Sequence, residues 1–163
     1  MNPVISVNAA TGKAYVPRLK RHLRAACGLA PGALQELSLA LVGNARMAAL
    51  HEQFLNIPGP TDVLTFELDH DARGRVTAGE VVVCVPYALK SARRLGHRPE
   101  DEVLLYAIHG LLHLCGHDDR TDSGYRRMHR LEDRILTQLG IGPIFAARPK
   151  ASAGEMRPRR SRK

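Results

Sequence analysis

The stretch HGLLHLCGHDD, residues 109–119, places three histidines and two aspartates within eleven positions. Residues four apart on an α-helix lie on one face about 6 Å apart, so His109 and His113 can present two imidazoles to one ion. Two histidines at this spacing also occur on ordinary solvated helix faces. Apolar residues around the pair favour a buried helix instead: Leu104, Leu105, Ile108, Leu111, Leu112 and Leu114.

The segment after the histidine pair offers a third ligand. Gly116 lies where a left-handed turn can end the helix and reverse the chain. Asp119 follows six residues after His113 and completes the spacing H-x3-H-x2-G-x2-D, the metzincin pattern with aspartate in the third place. Zinc peptidases of this type carry a glutamate base after the first histidine, where this chain has Gly110. We predict a metal site of His109, His113 and Asp119 that assists hydrolysis by a non-peptidase route.

Hydrophobic periodicity predicts four strands and about five helices. The strand segments are residues 4–8, 37–42, 62–68 and 80–85, each apolar or rich in β-branched residues. Pro17, Pro86 and Pro99 are predicted to begin helices, Asn44 and Ser123 are predicted N-caps, and the predicted ends are Gly28, Leu55, Gly96, Leu114 and Leu139. Helices between most strands indicate a single-domain α/β or α+β fold that contains a metzincin-like metal-site helix.

The charge is distributed unevenly. The chain of 163 residues has 24 Lys and Arg against 16 Asp and Glu, a net charge of +8. Residues 148–163 carry +6 of this and contain no Leu, Ile, Val or Phe, so we predict a domain at 1–147 and a disordered basic tail at 148–163. The tail either tethers the protein to RNA phosphates or acts as a solubilising extension.

The compartment follows from what the sequence lacks. No stretch approaches the roughly 18 apolar residues of a membrane span, and the first 13 residues do not resemble an export signal. Cys27, Cys84 and Cys115 are odd in number and match no zinc-finger spacing. We therefore expect a soluble cytoplasmic protein with reduced thiols and no membrane contact.

The stretch HGLLHLCGHDD resembles the HGxLHLxGxDH signature of the YbeY family, single-metal endoribonucleases of ribosomal RNA maturation and ribosome quality control. Residues 50–68, LHEQFLNIPGPTDVLTFEL, look like the family's LNxxFR…TDVLSF segment, and GEVVVC at 79–84 looks like its GDIVIS strand. The resemblance implies a mixed four-stranded sheet with about five helices, one zinc ion per chain and single-stranded RNA as substrate. Ribosomal RNA precursors and ribosomal particles are the implied partners.

Four departures from the family pattern bear on the metal and RNA sites. Asp119 replaces the third metal histidine, and His117 replaces the tyrosine of that block. Because carboxylate is a harder ligand than imidazole, the site is expected to accept Mn²⁺ or other divalent ions as well as zinc. In the LNxxFR segment, His51 stands at the asparagine position and Leu55 at the arginine position. The resemblance implies that this arginine faces phosphate, so another cation must take its role.

The cations that could replace the arginine are Arg93, Arg94 and Arg98, around the end of the third predicted helix. We name them as candidate RNA contacts, although a solvated helix face is the simpler interpretation of any one of them. Aromatic residues make up only 4% of the chain, which excludes an extended base-stacking platform.

Two functions compete on the sequence. In the first, a metal-dependent endoribonuclease uses the ion to activate phosphate or water, with His117 as the acid or base unless the 2′-hydroxyl chemistry needs none. In the second, a non-catalytic ribosome-assembly factor has a structural metal and an RNA-binding tail. Three ligands favour an open catalytic position, whereas the missing arginine favours the assembly factor. A metallopeptidase ranks third because of Gly110.

Overall fold

The computed structural model describes residues 2–144, so the predicted tail at 148–163 lies outside the described residues. Within this range, four strands and five helices follow one another, with one short 3₁₀ turn at Lys13–Tyr15. In chain order they are β1 (Val4–Ala9), α1 (Val16–Leu29), β2 (Glu36–Val42), α2 (Asn44–Leu55), β3 (Val63–His70), β4 (Val76–Cys84), α3 (Val85–Leu95), α4 (Pro99–Leu114) and α5 (Asp122–Gln138).

The strands form one mixed sheet in the order β1-β2-β4-β3. β1 pairs with β2, and β2 with β4, in parallel, whereas β3 and β4 form an antiparallel pair joined by a tight turn. The turn forms at residues 71–75, as its Gly-containing sequence suggests, and Asp71 accepts hydrogen bonds from the backbone of Arg73 and Arg75. The predicted mixed four-stranded sheet and five helices are therefore confirmed.

The two faces of the sheet are covered unequally. On one face, Val81 and Val83 of β4 belong to the main core with α1, α4 and α5. On the other, Val82 and Cys84 belong to a smaller cluster that α2 covers. Alternate residues of a strand point to opposite faces, which is why the VVVCV run can supply both cores.

The metal-site helix α4 lies against the main face of the sheet. Residues 102–112 are all buried, which accounts for a sequence that is apolar on nearly every side. Two glycines permit its close approach. A Cβ on Gly79 of β4 would lie 2.6 Å from Leu114, and one on Gly110 of α4 would lie 2.5 Å from Val81. The sheet therefore fixes the depth and rotation of the helix that carries the histidines.

The observed helix boundaries lie within two residues of the predicted ones, and three of the differences have an identifiable cause. α1 does not end at Gly28 but continues to Leu29, and Ala30 is extended because Pro31 follows it. Asn44 does not cap α2, since its side chain accepts a hydrogen bond from the Cys84 thiol at 3.3 Å and Gly43 is the N-cap.

The third difference is at the start of α5. Thr121, and not Ser123, caps this helix, with its hydroxyl accepting the Gly124 N–H at 3.0 Å. The strand β4 also begins earlier than predicted, at Val76, because antiparallel pairing with β3 extends it toward the turn.

None of the helices within residues 2–144 is both long and apolar enough to cross a membrane. Cys27, Cys84 and Cys115 are free thiols. Burial raises the pKa of Cys27 to about 12 and that of Cys115 to about 11, which suppresses thiolate formation at these two positions.

Candidate metal centre

The last two turns of α4 and the loop after them bring three side chains together. His109 and His113 lie on successive turns, with their Nε2 atoms 3.0 Å apart. The Asp119 carboxylate faces both of them, with Oδ2 3.5 Å from Nε2 of His109 and Oδ1 3.6 Å from Nε2 of His113. These residues form a possible metal site, and no other group of this kind occurs within residues 2–144.

The distances match the requirement of one small divalent ion. Tetrahedral zinc binds nitrogen and carboxylate oxygen at about 2.0–2.2 Å, which separates any two ligand atoms by about 3.3–3.5 Å. The observed separations of 3.0, 3.5 and 3.6 Å bracket this value. Three protein ligands also leave a fourth position open, as in catalytic zinc sites.

A glycine turn returns the chain to the histidine pair. Gly116 has φ 94°, which favours glycine, and its N–H donates to the His113 carbonyl at 3.0 Å. After the turn, Asp118 accepts the backbone N–H of Arg120 at 2.9 Å, and its side chain is 44% exposed. The Asp119 side chain is 17% exposed and faces the imidazoles. The turn thus directs two adjacent carboxylates to different surroundings.

His117, the predicted acid or base, is not among the three grouped side chains. Its ring is half-buried, and its Nε2 has no hydrogen-bond partner within residues 2–144. The backbone N–H of His117 donates to the Leu112 carbonyl at 3.0 Å, which helps to close the end of α4. Proton transfer by the His117 ring stays a prediction.

Two residues of the site were missed on the sequence. Glu132 of α5 accepts a hydrogen bond from Nδ1 of His109 at 2.5 Å and another from Nδ1 of His129 at 2.6 Å. Glu132 is only 1% exposed, and His129 is 9% exposed. The sequence does contain an indication that Glu132 is buried, because position 132 lies on the apolar face of α5 with Met128, Ile135 and Leu136. An acid on such a stripe is buried, and a buried acid needs partners.

The proton on His109 is held strongly while no metal is bound. Burial by itself would lower the pKa of His109, but the adjacent Glu132 carboxylate outweighs burial and raises this pKa to about 9. Burial would likewise raise the pKa of Glu132, yet attraction and hydrogen bonds from His109 and His129 lower it to about 2. Burial and the charge on His109 lower the pKa of His113. A metal ion at this site would therefore have to displace a proton from His109.

The residue after His109 faces the sheet. A Cβ at Gly110 would lie 2.5 Å from Cγ1 of Val81 and 3.1 Å from Cγ2 of Thr65. This position has no room for the glutamate base of a zinc peptidase, so packing as well as chemistry disfavours a peptidase.

The three arginines proposed on sequence lie away from this site. Arg93 and Arg94 are exposed in the last turn of α3. Arg98 is the N-cap of α4 and forms an ion pair with Glu100. At 1.5 Å per residue, the eleven residues between Arg98 and His109 correspond to about 16 Å along the helix. An RNA chain could bridge that distance, but a single phosphate could not contact both ends.

The positions that depart from the family's LNxxFR pattern serve local structure. Leu55 ends α2 and is partly buried against the smaller core cluster. His51 is buried, and its Nδ1 donates to the Gly59 carbonyl at 2.8 Å, which anchors the loop before β3. Neither residue can supply a cation in the way that arginine does.

A row of arginines that the sequence analysis does not predict as RNA contacts lies on the outer face of α5. Four exposed arginines occupy it, and none forms an ion pair within residues 2–144: Arg126, Arg127, Arg130 and Arg134. Arg126, Arg130 and Arg134 follow one another at intervals of four, so they share one side of the helix. The opposite side of α5 contains Glu132, which contacts the metal-site histidine.

Comparison with known proteins identifies the family. The family model described as Endoribonuclease YbeY matches residues 5–140. A protein named Endoribonuclease YbeY from Acidothermus cellulolyticus is 39% identical over 127 residues, which cover 71% of this chain and 77% of that protein. A protein of the same name from Thermobifida fusca is 40% identical over 126 residues, covering 73% of this chain and 80% of its own.

Solved structures agree at the level of the fold. The solution structure of TM1509 from Thermotoga maritima matches with a TM-score of 0.60 at 24% identity, over 94% of this chain and 99% of that one. The family match covers both the sheet and the helix that carries the histidine pair. The chain belongs to the endoribonuclease YbeY family.

Proposed function

We propose that the protein is a metal-dependent endoribonuclease that cleaves single-stranded RNA at the site formed by His109, His113 and Asp119. The observation that carries this proposal is the convergence of two imidazole nitrogens and one carboxylate with a fourth position open. The names of the relatives, all Endoribonuclease YbeY, supply the reaction class.

The residues of the site divide the work between them. His109 and His113 through Nε2 and Asp119 through its carboxylate would hold a divalent ion, and Asp119 would contribute one negative charge. When bound, the ion would supply Lewis-acid polarisation of a phosphoryl oxygen. Glu132 accepts the N–H on the far side of His109 and so holds that ring in place. His117 is the candidate for moving a proton at the open side.

We propose zinc as the resident ion, with Mn²⁺ accepted in its place. The two imidazoles suit zinc, whereas the Asp119 carboxylate also suits harder ions. Replacement of the aspartate by histidine, Asp119→His, is therefore expected to retain metal and to narrow the preference toward zinc. The comparison of Zn²⁺ and Mn²⁺ affinities in the two proteins tests this assignment.

We propose that arginines hold the RNA backbone on two surfaces. The first comprises Arg93, Arg94 and Arg98 at the start of α4, as the sequence suggests. The second is the row on the outer face of α5, defined above. The row has the stronger support, because its helix contacts His109 through Glu132 and none of its four arginines forms an ion pair within residues 2–144, whereas Arg98 of the first surface pairs with Glu100.

Two charge-matched double variants distinguish these surfaces. Arg126→Gln with Arg130→Gln removes two cations from α5, and Arg93→Gln with Arg94→Gln removes two from α3. For single-stranded RNA, each lost phosphate contact should reduce the slope of log affinity against log salt by about 0.7. We expect the α5 variant to reduce the slope by about 1.4 and the α3 variant by less. A larger effect of the α3 variant would assign the RNA path to that end of the molecule.

The protein would act in the cytoplasm on ribosomal RNA precursors within ribosomal particles. This part of the proposal rests on the family resemblance. The alternative, a non-catalytic assembly factor with a structural metal, is favoured by one observation, that Leu55 stands where the family has arginine. If a missing cation limits cleavage, Leu55→Arg should raise the cleavage rate or the RNA affinity. An unchanged rate in the folded variant would mean that other cations already suffice or that the chain does not cleave RNA.

The deciding experiment is cleavage of a labelled single-stranded RNA by highly purified protein. Asp119→Ala and His113→Ala, prepared identically, control for contaminating nucleases. Cleavage by the wild type and none by either variant supports the endoribonuclease. Equal cleavage by all three preparations, or none by a metal-loaded wild type, would favour the assembly factor.

A further inference from the structure

A buried carboxylate links the metal site to α5. Glu132 has one oxygen on Nδ1 of His109 and the other on Nδ1 of His129, at 2.5 and 2.6 Å. The rings of His109 and His129 lie nearly parallel, with an angle of 18° and centroids 6.2 Å apart. Tyr125 packs edge-on against His129, with ring centroids 4.2 Å apart. Each oxygen of this carboxylate therefore has one histidine donor.

Glu132 bonds to Nδ1 of His109, the ring nitrogen that does not face the proposed metal site. A neutral imidazole carries one N–H and one lone pair, so a carboxylate that accepts from Nδ1 requires the lone pair to be on Nε2. In His109 this Nε2 is the atom that faces His113 and Asp119. Glu132 therefore selects both the tautomer and the ring orientation that a metal ion needs.

We propose that Glu132 is a positioning residue of the metal site and that His129 anchors it from the second oxygen. The inference rests on the proposed metal site, but not on RNA cleavage. A carboxylate that orients a ligating histidine also increases the basicity of that ligand, and loss of such a partner typically lowers metal affinity about 10–100-fold.

The hydrogen bond from His129 restricts rotation of the Glu132 carboxylate. A carboxylate that accepts from one donor can rotate about its last bond, whereas donors on both oxygens hold its plane. His129 provides the second donor from one turn earlier on α5, so Glu132 is held from its own helix as well as from α4. Loss of His129 should loosen the orientation of His109 while the ligand set remains intact.

The test measures metal affinity directly by competition of Zn²⁺ with a chromophoric chelator. Glu132→Ala should weaken Zn²⁺ binding about 10–100-fold. Glu132→Gln should weaken it less, because the amide oxygen can still accept from one imidazole. His129→Ala should weaken it by a few fold, and His129→Asn should restore affinity because its amide N–H replaces the Nδ1 donor.

A second readout separates positioning from general stability. Visible absorption of the Co²⁺-loaded protein reports the geometry of the ligands, and we expect an altered spectrum in Glu132→Ala and a wild-type spectrum in His129→Asn. Glu102→Gln is the matched control, because Glu102 is also a fully buried glutamate but lies about two turns of α4 before His109. It should alter stability and leave Zn²⁺ affinity and the Co²⁺ spectrum unchanged.

The outcomes distinguish this inference from the proposed function. If the wild type binds no Zn²⁺ or Co²⁺, the metal site itself is wrong. If the wild type binds metal and Glu132→Gln and Glu132→Ala bind it equally well, the positioning role is wrong and the metal site stands. If Glu132→Ala does not fold, Glu132→Gln and the His129 pair decide, and wild-type affinity in Glu132→Gln and His129→Ala would overturn the inference.

Discussion

The two ends of α4 differ in how their polar side chains are satisfied. In the first turn, Asp101 accepts from Arg18 of α1 at 2.7 Å, and Glu100 pairs with Arg18 and Arg98. Carboxylates are favourable there because the helix dipole is positive at its N-terminus. In the last two turns, His109 and His113 point their Nε2 atoms at each other and at a carboxylate.

The charged groups at the start of α4 have a structural role, whereas those at its end form the candidate functional site. At the first turn, acids and arginines neutralise one another within the protein. At the last turn, the negative end of the helix dipole adds to Asp119 and Glu132, so the group favours a cation. In the metal-free protein the proton on His109 serves as that cation. A divalent ion would place a larger positive charge at the same position, so this end of α4 is the one suited to metal-assisted chemistry.

The largest expected effect is loss of metal at the last turn. His113→Ala and Asp119→Ala each remove one of the three ligands. Loss of a residue that only hydrogen-bonds to a metal ligand lowers metal affinity by up to about 100-fold, so each of these variants should lower Zn²⁺ affinity by more than that. Metal content by elemental analysis after gel filtration measures it. His117→Ala should retain the ion even if activity falls. Retention of metal by Asp119→Ala and its loss in His117→Ala would overturn the ligand assignment.

The next effect concerns how α4 rests on the sheet. Gly110→Ala places a Cβ 2.5 Å from Val81, and overpacking of this kind typically costs about 1–3 kcal/mol of unfolding free energy. Gly28→Ala is the matched control, because Gly28 is also helical and a Cβ there meets nothing within 4 Å. The control should gain about 0.4–1 kcal/mol. Denaturant unfolding measures both, and equal stability of the two variants would contradict the close packing at Gly110.

The ion pair at the last turn should make the stability of the metal-free protein depend on pH. The pKa of His109 is raised to about 9, so its contribution is complete below its unfolded value of 6.5 and is lost as the pH rises through 9. The pKa of Glu132 is lowered to about 2, so its contribution is complete above 4.5 and is lost as the pH falls through 2. Unfolding in chelator should show this contribution to be largest between pH 4.5 and 6.5. If a Glu132→Gln variant lost as much stability above pH 6.5 as the wild type, the ion pair between His109 and Glu132 would not be the cause of the pH dependence.

The smallest effect belongs to the first turn. Arg18→Gln removes the partner of Asp101 and Glu100, whose side chains are partly exposed, and such pairs contribute at most about 1 kcal/mol. Zn²⁺ affinity should stay at the wild-type value, since the metal site lies at the other end of the helix. A shift in affinity comparable to that of Glu132→Ala would show that the two ends are coupled.

The local features of this site could be predicted from the sequence. The pair His109 and His113 follows from helical spacing, and the return of Asp119 follows from a glycine that can adopt a positive φ. The strands follow from short apolar runs. These signals act over a few residues, so no knowledge of tertiary contacts is needed.

The remaining features depend on contacts distant in sequence. Glu132 lies 23 residues from His109. Its position on the apolar face of α5 predicts that it is buried, but not that His109 is its hydrogen-bond partner. Thr121 caps α5 because the loop places its hydroxyl at the Gly124 N–H, whereas Ser123 would have served as well by composition. Whether an arginine lies near the metal is likewise a matter of tertiary placement, which is why the sequence indicated Arg98 and the structure adds the outer face of α5.

The most direct test of the central claim is RNA cleavage by one preparation carried through metal removal and reloading. The protein is treated with chelator, dialysed, and assayed on labelled single-stranded RNA before and after one equivalent of Zn²⁺ or Mn²⁺, with Asp119→Ala in parallel. We predict that removal abolishes cleavage, that reloading restores it in the wild type, and that Asp119→Ala stays inactive throughout. Undiminished cleavage by the metal-free wild type, or equal cleavage by Asp119→Ala, would contradict the account.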